Sequence, residues 1–436
     1  MVLRINKLKF SLLLTTIFFF SSLAGQSTTR TFDKSYANPG EVSITQSRGP
    51  LNILPAKDGK IRVVAEMSVE GKTKADAEAF LDKLETKISE TGSRLSVMVG
   101  LQNVRSWNQT KHSMKVIFQD GSKFTGIRNF ELSTTVYLPA TQWLKLFARF
   151  ERVDIDPSVK IKDLELVLNN SKCRAGDISG DLKLDVRFGE LEIGDVAGSL
   201  TGTTNNVRTE FGNVGDVRLE SRFSRHRMGT LKSLDWTSNN DHLEVESVLG
   251  EVDIDDRFGT YTIGSTGNGR IKSNNGTFEI ESGGEYKIIG RFGNFDFDRL
   301  DVLKLMDNNN SDYDIKELGS VSGRGRFTNV IADKLSQRAE LDLENGKLRV
   351  DEVSPDFRGI TVEGRFFEVD INFRKPAVYR VFADLSFGTL RVPDNLLTIK
   401  KIKEHSDLEA ELKTPNASND SPIIKVKGQN GKLFID

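Results

Sequence analysis

The sequence predicts a mainly β protein: a parallel β-solenoid preceded by a small α+β region that carries one amphipathic helix. Three observations lead there. Gly is plentiful (37), Pro scarce (10) and Phe common (27), a balance that suits turn-rich strands with aromatic packing. Segment after segment alternates apolar and polar residues, the period of a strand with one buried face. The alternation also slips repeatedly by one residue beside a phenylalanine, as in LKLDVRFGELEI (182–193). There Leu182, Leu184, Val186 and Phe188 share one parity, while Leu191 and Ile193 have the other. A straight strand cannot keep both sets on one face, so the slip predicts a corner.

Residues 1–24 read as a secretory signal peptide. Arg4, Lys7 and Lys9 form a basic start, FSLLLTTIFFFSSL (10–23) an apolar core, and Ser22-Leu23-Ala24 a cleavage site. No later segment approaches 18 consecutive apolar residues, so a soluble mature chain is expected. The formal charge is −1 before the three basic residues are removed, which gives no basic field for nucleic acid. Cys173 is the sole cysteine, so no internal disulfide can form.

Residues 27–140 read as the α+β cap region. Thr73 is placed to cap a helix whose face is Ala77, Phe80, Leu81, Leu84 and Ile88, with Asp76 in the first turn and Gly92 past its end. Strand-like runs surround it at 41–47, 61–69, 94–100, 114–120 and 133–139. The expected role of this region is to cover a sheet or to plug the open end of a solenoid. The stretches 101–113 and 307–314 (DNNNSDYD) are polar enough to be expected outside the core.

Residues 141–436 carry the repeat. Phe, two spacers, an apolar residue, one spacer and a second apolar residue recur from Phe150, Phe188, Phe258, Phe292, Phe366 and Phe387; FGNVGD from Phe211 lacks the last position. Gly follows the Phe in five copies, as Gly189, Gly212, Gly259, Gly293 and Gly388. These glycines are expected to make the bend itself, since Gly tolerates φ > 0. The recurrence is near 21–24 residues, in the range of solenoid coils. It predicts Phe stacked as a ladder inside the coil, with a loop insertion filling the gap from Phe258 to Phe292. An antiparallel meander with Gly hairpins is the competing fold. Arg precedes Phe at Arg149, Arg187, Arg257, Arg291 and Arg365. These arginines form either an outward ladder of screened pairs with acids such as Asp154, Glu192 and Asp296, or an anion-binding stripe.

The segments AGDISGDLKLDV (175–186) and STTVYLPA…LKLFARFERVDI (133–155) resemble a bacterial exported family of β-strand-repeat putative adhesins with Ser-Gly-Asp-Val/Ile repeats. Ser179-Gly180-Asp181-Leu182 matches that repeat closely, whereas elsewhere Phe-Gly stands in its place. The resemblance implies export and a right-handed β-solenoid-like fold, and it brings no catalytic residues.

Catalytic and metal-binding patterns are sparse. His112, His226, His242 and His405 are dispersed without ligand spacing, and His226, among three arginines, is expected at the surface. GSTGNGRIKS (264–273) has Arg270 where a phosphate loop needs Lys, and reads as a turn. DNNNSDYDIKEL (307–318) lacks the Gly and Glu of an EF-hand loop. Asp253/Asp255 and Asp296/Asp298 lie two apart on strand faces, where paired carboxylates could serve a glycosidase or lyase. Cys173 between Lys172 and Arg174 reads as a structural or incidental thiol. The expectation is therefore an exported, non-enzymatic β-repeat protein of the cell envelope without cofactor or metal, binding a glycan or protein. The alternatives are a β-helical polysaccharide-active enzyme and a periplasmic carrier of an apolar ligand.

Overall fold

A computed structural model describes residues 26–111 and 113–436; the segment 1–24, expected from the sequence to be a signal peptide, and His112 lie outside the described residues. The described chain divides into two compact units. One holds 26–30, 67–84 and 102–131, and the other holds 31–66, 85–101 and 132–436. Among the described residues no helix is long and apolar enough to cross a membrane.

In the smaller unit, the helix Lys74–Leu81 begins where the capping residue predicts. The Thr73 hydroxyl accepts from the Asp76 N–H, and the Asp76 carboxylate accepts in return from the Thr73 N–H. Phe80 packs edge-on against Phe124 and Phe130, with centroids 5.3 and 5.6 Å away. The helix is shorter than the sequence suggests, because Leu84–Thr91 is a strand. Leu84 and Ile88, four apart, satisfy the helical and the strand period equally. The segment 101–113 is likewise not simply a loop. Val104–Gln109 pairs antiparallel with Met114–Phe118.

The larger unit is a β-solenoid; the structure is 72% strand among the described residues, with about 13 solenoid turns. Rungs stack in parallel register. Leu182–Ile193, for example, lies between Ile161–Asn169 and Leu200–Phe211, with Leu182, Leu184 and Val186 opposite Leu164, Leu166 and Leu168. These residues are buried, so the alternation places one apolar side chain over the next at about 4.8 Å per rung. Strands near the N-terminus join the same stack: Glu41–Ser47 lies between Arg94–Leu101 and Thr141–Arg149.

The phase slip is a corner, but its phenylalanine faces outward. Phe188 has φ 53° and is exposed, and the buried series passes from Val186 to Leu191 around it. Phe150, Phe258, Phe292, Phe366 and Phe387 do the same, as do Phe223 and Phe327, which the sequence pattern omits. The expected interior Phe ladder is thus corrected. Aromatic rings do stack inside, but three positions past the corner: Tyr261, Phe278, Phe295 and Tyr313 lie in consecutive rungs with centroids 4.5–5.1 Å apart.

The glycines that follow these phenylalanines are corrected with them. None of Gly189, Gly259, Gly293 and Gly388 has a positive φ, because the Phe before each one takes the left-handed turn. What each glycine supplies is room. A Cβ at Gly189 would lie 2.4 Å from the Ser171 carbonyl oxygen, and one at Gly259 2.7 Å from the Tyr261 ring. At Gly293 it would lie 2.7 Å from the Phe295 ring, and at Gly388 2.6 Å from Leu385 Cβ and 2.7 Å from the Gly431 carbonyl oxygen. Gly259 and Gly293 therefore open the space that the interior aromatic stack fills.

Phe211 and Gly212 are not a corner. Phe211 is buried at the end of Leu200–Phe211, and Gly212 belongs to a different ladder. In that ladder a carboxylate of one rung accepts a backbone N–H of the next: Asp177 from Asp195, Asp195 from Asn213, Asp163 from Asp181, and Asp181 from Ser199. A Cβ at Gly180 or Gly212 would overlap the Asp163 or Asp195 carboxylate below it. Gly-Asp is therefore a unit: the Asp caps the following rung, and the Gly makes room for the carboxylate of the preceding one.

The rung length is also corrected. Left-handed corners fall at 170, 188, 206, 223, 240, 258, 275, 292, 310, 327 and 345, 17 or 18 residues apart. Asn occupies every second corner, so Phe recurs only every two rungs. The interval from Phe258 to Phe292 is two ordinary rungs around Asn275, with no loop insertion. DNNNSDYD is a corner too: Asn308, Ser311 and Tyr313 are buried, and the Tyr313 hydroxyl donates to Asn308 Oδ1 at 2.5 Å.

The last rungs depart from sequence order. Gly359–Arg365 pairs with Ile423–Gln429, which pairs in turn with Arg380–Ser386. Residues 423–435 are inserted between two rungs made earlier in the chain. The antiparallel strands Asp407–Lys413 and Leu397–Glu404 follow beside Arg380–Ser386. Leu397–Glu404 is exposed along its length and carries Lys400, Lys401 and Lys403, charges that discourage further strand addition.

Candidate functional site

The corners form one edge of the solenoid, built from two adjacent ladders. At corners such as these the left-handed residue donates its N–H to a carbonyl of the next rung, as Phe258 does to Asn274 at 3.0 Å and Asn275 to Arg291 at 2.8 Å. The backbone thus turns while its ladder bonds stay intact. Gly and Asn adopt this conformation readily, whereas for Phe it costs about 1–2 kcal/mol. Asn at alternate corners fits that requirement, and Phe does not. Eight phenylalanines nevertheless take it, each between 48 and 72% exposed.

The residue before each corner alternates in step. Down the edge, in register, stand Arg149, Asn169, Arg187, Asn205, Arg222, Asn239, Arg257, Asn274, Arg291, Asn309 and Arg326. Arg-Phe rungs therefore alternate with Asn-Asn rungs. On the Asn rungs one side-chain amide donates to its neighbour, as Asn206 does to Asn205 and Asn275 to Asn274. Of the five arginines read from the sequence, only Arg187 has a carboxylate partner among the described residues, Asp185 at 3.7 Å. Asp154 and Glu192 pair instead with Arg152 and Arg174. The expected Arg–carboxylate ladder is thus not formed by the residues that precede Phe. Elsewhere on the rungs such pairs are common, as Arg218–Asp235 and Arg270–Asp253 illustrate.

Beside the edge, between Asn170 and Phe258, runs a groove of about 1060 Å³. Phe188, Phe223 and Phe258 line it with Arg208, Arg225 and His242. Asp241 also lines it and is otherwise buried. Burial pushes the Asp241 carboxyl up to about 6, although its Oδ1 accepts the Ser224 N–H at 2.8 Å. Under the same rungs lies a polar cluster in the core. His226 is fully buried rather than at the surface; Thr209 and Ser221 bond its two ring nitrogens at 2.7 and 2.8 Å. Burial alone pushes its pKa down to about 3, so the neutral imidazole is the form the core accepts. Asp256 takes hydrogen bonds from Tyr261, Ser238, Ser273 and the Gly259 N–H, and burial raises its pKa.

A second trough of about 780 Å³ is acidic. Glu279, Asp296 and Asp314 stand opposite one another in successive rungs. Burial, then Asp314 and Glu279 beside it, raises the Asp296 pKa. Asp298 is engaged by Lys316 at 2.6 Å, while Asp253 and Asp255 are engaged by Arg270 and Lys272. Gly267 and Asn268, in GSTGNGRIKS, join the strands Thr260–Thr266 and Gly269–Asn274. Cys173 is buried and its thiol pushed up to about 12 by burial, which makes it unreactive in the folded chain.

No family model and no curated protein matches the chain. Among solved structures, the chain is similar to a putative cell adhesion protein from Clostridium sporogenes at 10% identity, over 94% of this chain and 99% of that one, with a TM-score of 0.18. It is similar to a putative adhesin from Parabacteroides merdae at 12% identity, over 80% and 92%, with a TM-score of 0.20. A third likeness, to a putative lipid binding protein from Parabacteroides distasonis, has 9% identity, 76% and 97% coverage and a TM-score of 0.18. At these TM-scores none of the likenesses bears on what the chain does.

Proposed function

We propose that the chain is an exported, non-enzymatic binding protein of the bacterial cell envelope, and that its working surface is the phenylalanine edge. One observation carries the reading. After Phe366 the next corner in space is Asn430, between the strands Ile423–Gln429 and Lys432–Ile435, and the one after it is Phe387, reached earlier in sequence. The alternation of Phe and Asn survives where sequence order and spatial order part. A repeat kept only by sequence duplication would lose it there; a surface that must present Phe every second rung keeps it. Large exposed rings in a strained backbone are costly to the free protein, and a ligand that covers them offsets that cost.

The enzyme alternative draws on the acidic trough of Glu279, Asp296 and Asp314. A glycan array of the purified chain, with product analysis by mass spectrometry, separates the two. Binding without cleavage, weakened when the edge phenylalanines become asparagine, supports the proposal. Shortened products that disappear in Asp296→Asn would replace it with a polysaccharide-active enzyme.

A further inference from the structure

On the strength of that reading, we propose that the groove between Asn170 and Phe258 takes a linear, carboxylate-bearing polysaccharide whose chemical repeat is a disaccharide. The period argues first. Phe188, Phe223 and Phe258 occupy alternate rungs, so they recur about every 10 Å along the stack. Two sugars of an extended, equatorially linked pyranose chain span a comparable length, and each ring would then meet a chemically equivalent sugar. An extended polypeptide repeats about every 7 Å, out of step with the rings, and one nucleic-acid strand brings a phosphate about every 3.4 Å, about three for each ring, more charges than the unpaired arginines can meet. A lipid surface has no fixed period.

The chemistry between the rings follows the same alternation. An exposed aromatic face suits the C–H face of a pyranose, and the Asn rungs between supply amide donors and acceptors for sugar hydroxyls. The charge is placed with the rings. Arg222, Arg225 and Arg257 belong to the Phe rungs and are not ion-paired among the described residues. The neighbouring cations are neutralised: Lys172 by Glu190, Arg208 by Glu210 and Arg227 by Glu244. Unpaired guanidinium forks therefore stand on the Phe223 and Phe258 rungs, Arg225 lining the groove itself, while Arg187 on the Phe188 rung meets Asp185 at 3.7 Å; each free fork can hold a carboxylate through two hydrogen bonds.

The test uses the purified full chain and calorimetric titration at two salt concentrations. The probes are hyaluronan oligosaccharides of increasing length, polymannuronate, neutral chitin oligosaccharides, polyglutamate, and vesicles containing anionic phospholipid. Hyaluronan should bind, more tightly with each added disaccharide until the groove is filled and less tightly at high salt; equally tight binding of polymannuronate, whose chemical repeat is one sugar, would overturn the disaccharide repeat and leave the carboxylate assignment. Replacing Phe188, Phe223 and Phe258 together by Asn, already present at the alternate corners, should weaken binding about tenfold or more. The variant Arg222→Gln/Arg225→Gln/Arg257→Gln should weaken the acidic glycans and leave chitin unaffected. Thermal melts of both variants verify that they remain folded.

If chitin binds as tightly as the acidic glycans and is indifferent to the Arg variant, the carboxylate assignment falls while the edge stands. Phe-dependent binding of polyglutamate or vesicles without any glycan overturns the polysaccharide and again leaves the edge. If no probe binds, or binding ignores the Phe variant, both the glycan and the binding-edge reading fail.

Discussion

Replacing Phe258 by Asn should leave the stability of the fold almost unchanged, although a core phenylalanine two rungs away is indispensable. The Phe258 ring is 55% exposed, so it hides roughly 90 Å² of about 200 Å² of side-chain surface, worth at most about 2 kcal/mol. Against this stands the strain of φ 60° at a bulky residue, about 1–2 kcal/mol, much of which Asn relieves. The two nearly cancel, and a net change within about 1 kcal/mol is expected. Phe295 is fully buried and stacks between Phe278 and Tyr313; Phe295→Ala should cost about 3–5 kcal/mol. Urea and thermal unfolding followed by circular dichroism measure both. A loss above about 3 kcal/mol in Phe258→Asn would mean that the ring holds the coil together. The argument that the edge carries Phe for something other than stability would then be refuted.

Gly212→Ala should destabilise by about 1–3 kcal/mol, because its Cβ would meet the Asp195 carboxylate; Asp195→Ala in the same chain should recover part of that loss, giving a nonzero double-mutant coupling. Cys173 should resist iodoacetamide in the native protein and react once the chain is unfolded in urea, read by mass spectrometry, since its thiol is buried and held near 12. Asp241 binds its proton more tightly folded than unfolded, so folding is favoured as pH falls from about 6 toward the ordinary carboxylate range and is penalised above it. Asp241→Asn should therefore raise the melting temperature at pH 8 and change it little at pH 3.5. The His226 imidazole, held neutral with a pKa of about 3, should show no NMR titration between pH 8 and 4.5; an inflection near 6.5 would place it in contact with water.

The corner was legible in the sequence because a change of parity is a geometric statement about faces. Which way the Phe at that corner points was not, because the left-handed residue lies between the two series and belongs to neither. Hydrophobicity placed it inside; backbone geometry turns it out. The glycine after it drew the bend to itself for the same reason, although Gly293 clears space for the Phe295 ring and Gly388 for Leu385 and the Gly431 carbonyl. The rung length was hidden for a related reason. Asn-Asn corners such as Asn239-Asn240 look like ordinary polar turns, so only every second corner stood out, and the apparent recurrence was longer than the coil. The interior aromatic ladder was also readable in principle. FGTY, NGTF, FGNF and NSDY each place an aromatic residue three positions past a corner, but the pattern appears only once Phe and Asn are treated as equivalent. His226 shows the opposite limit. Its sequence neighbours Arg225 and Arg227 point outward, while the strand turns the ring between them into a core pocket already furnished with Thr209 and Ser221.

The placement of residues 423–435 constrains how the coil can be completed. A coil of this kind can grow rung by rung as the chain emerges, each new strand finding its template already in place. That progress stops at Gly359–Arg365, whose natural successor in space has not yet been made. Arg380–Ser386 and the strands after it then have no partner on that side until Ile423–Gln429 arrives to be paired on both edges at once. The segment 423–435 is thus paired on both edges, and the two neighbours it holds apart in space both precede it in sequence, so the stack is joined there by a strand pair and not by chain continuity.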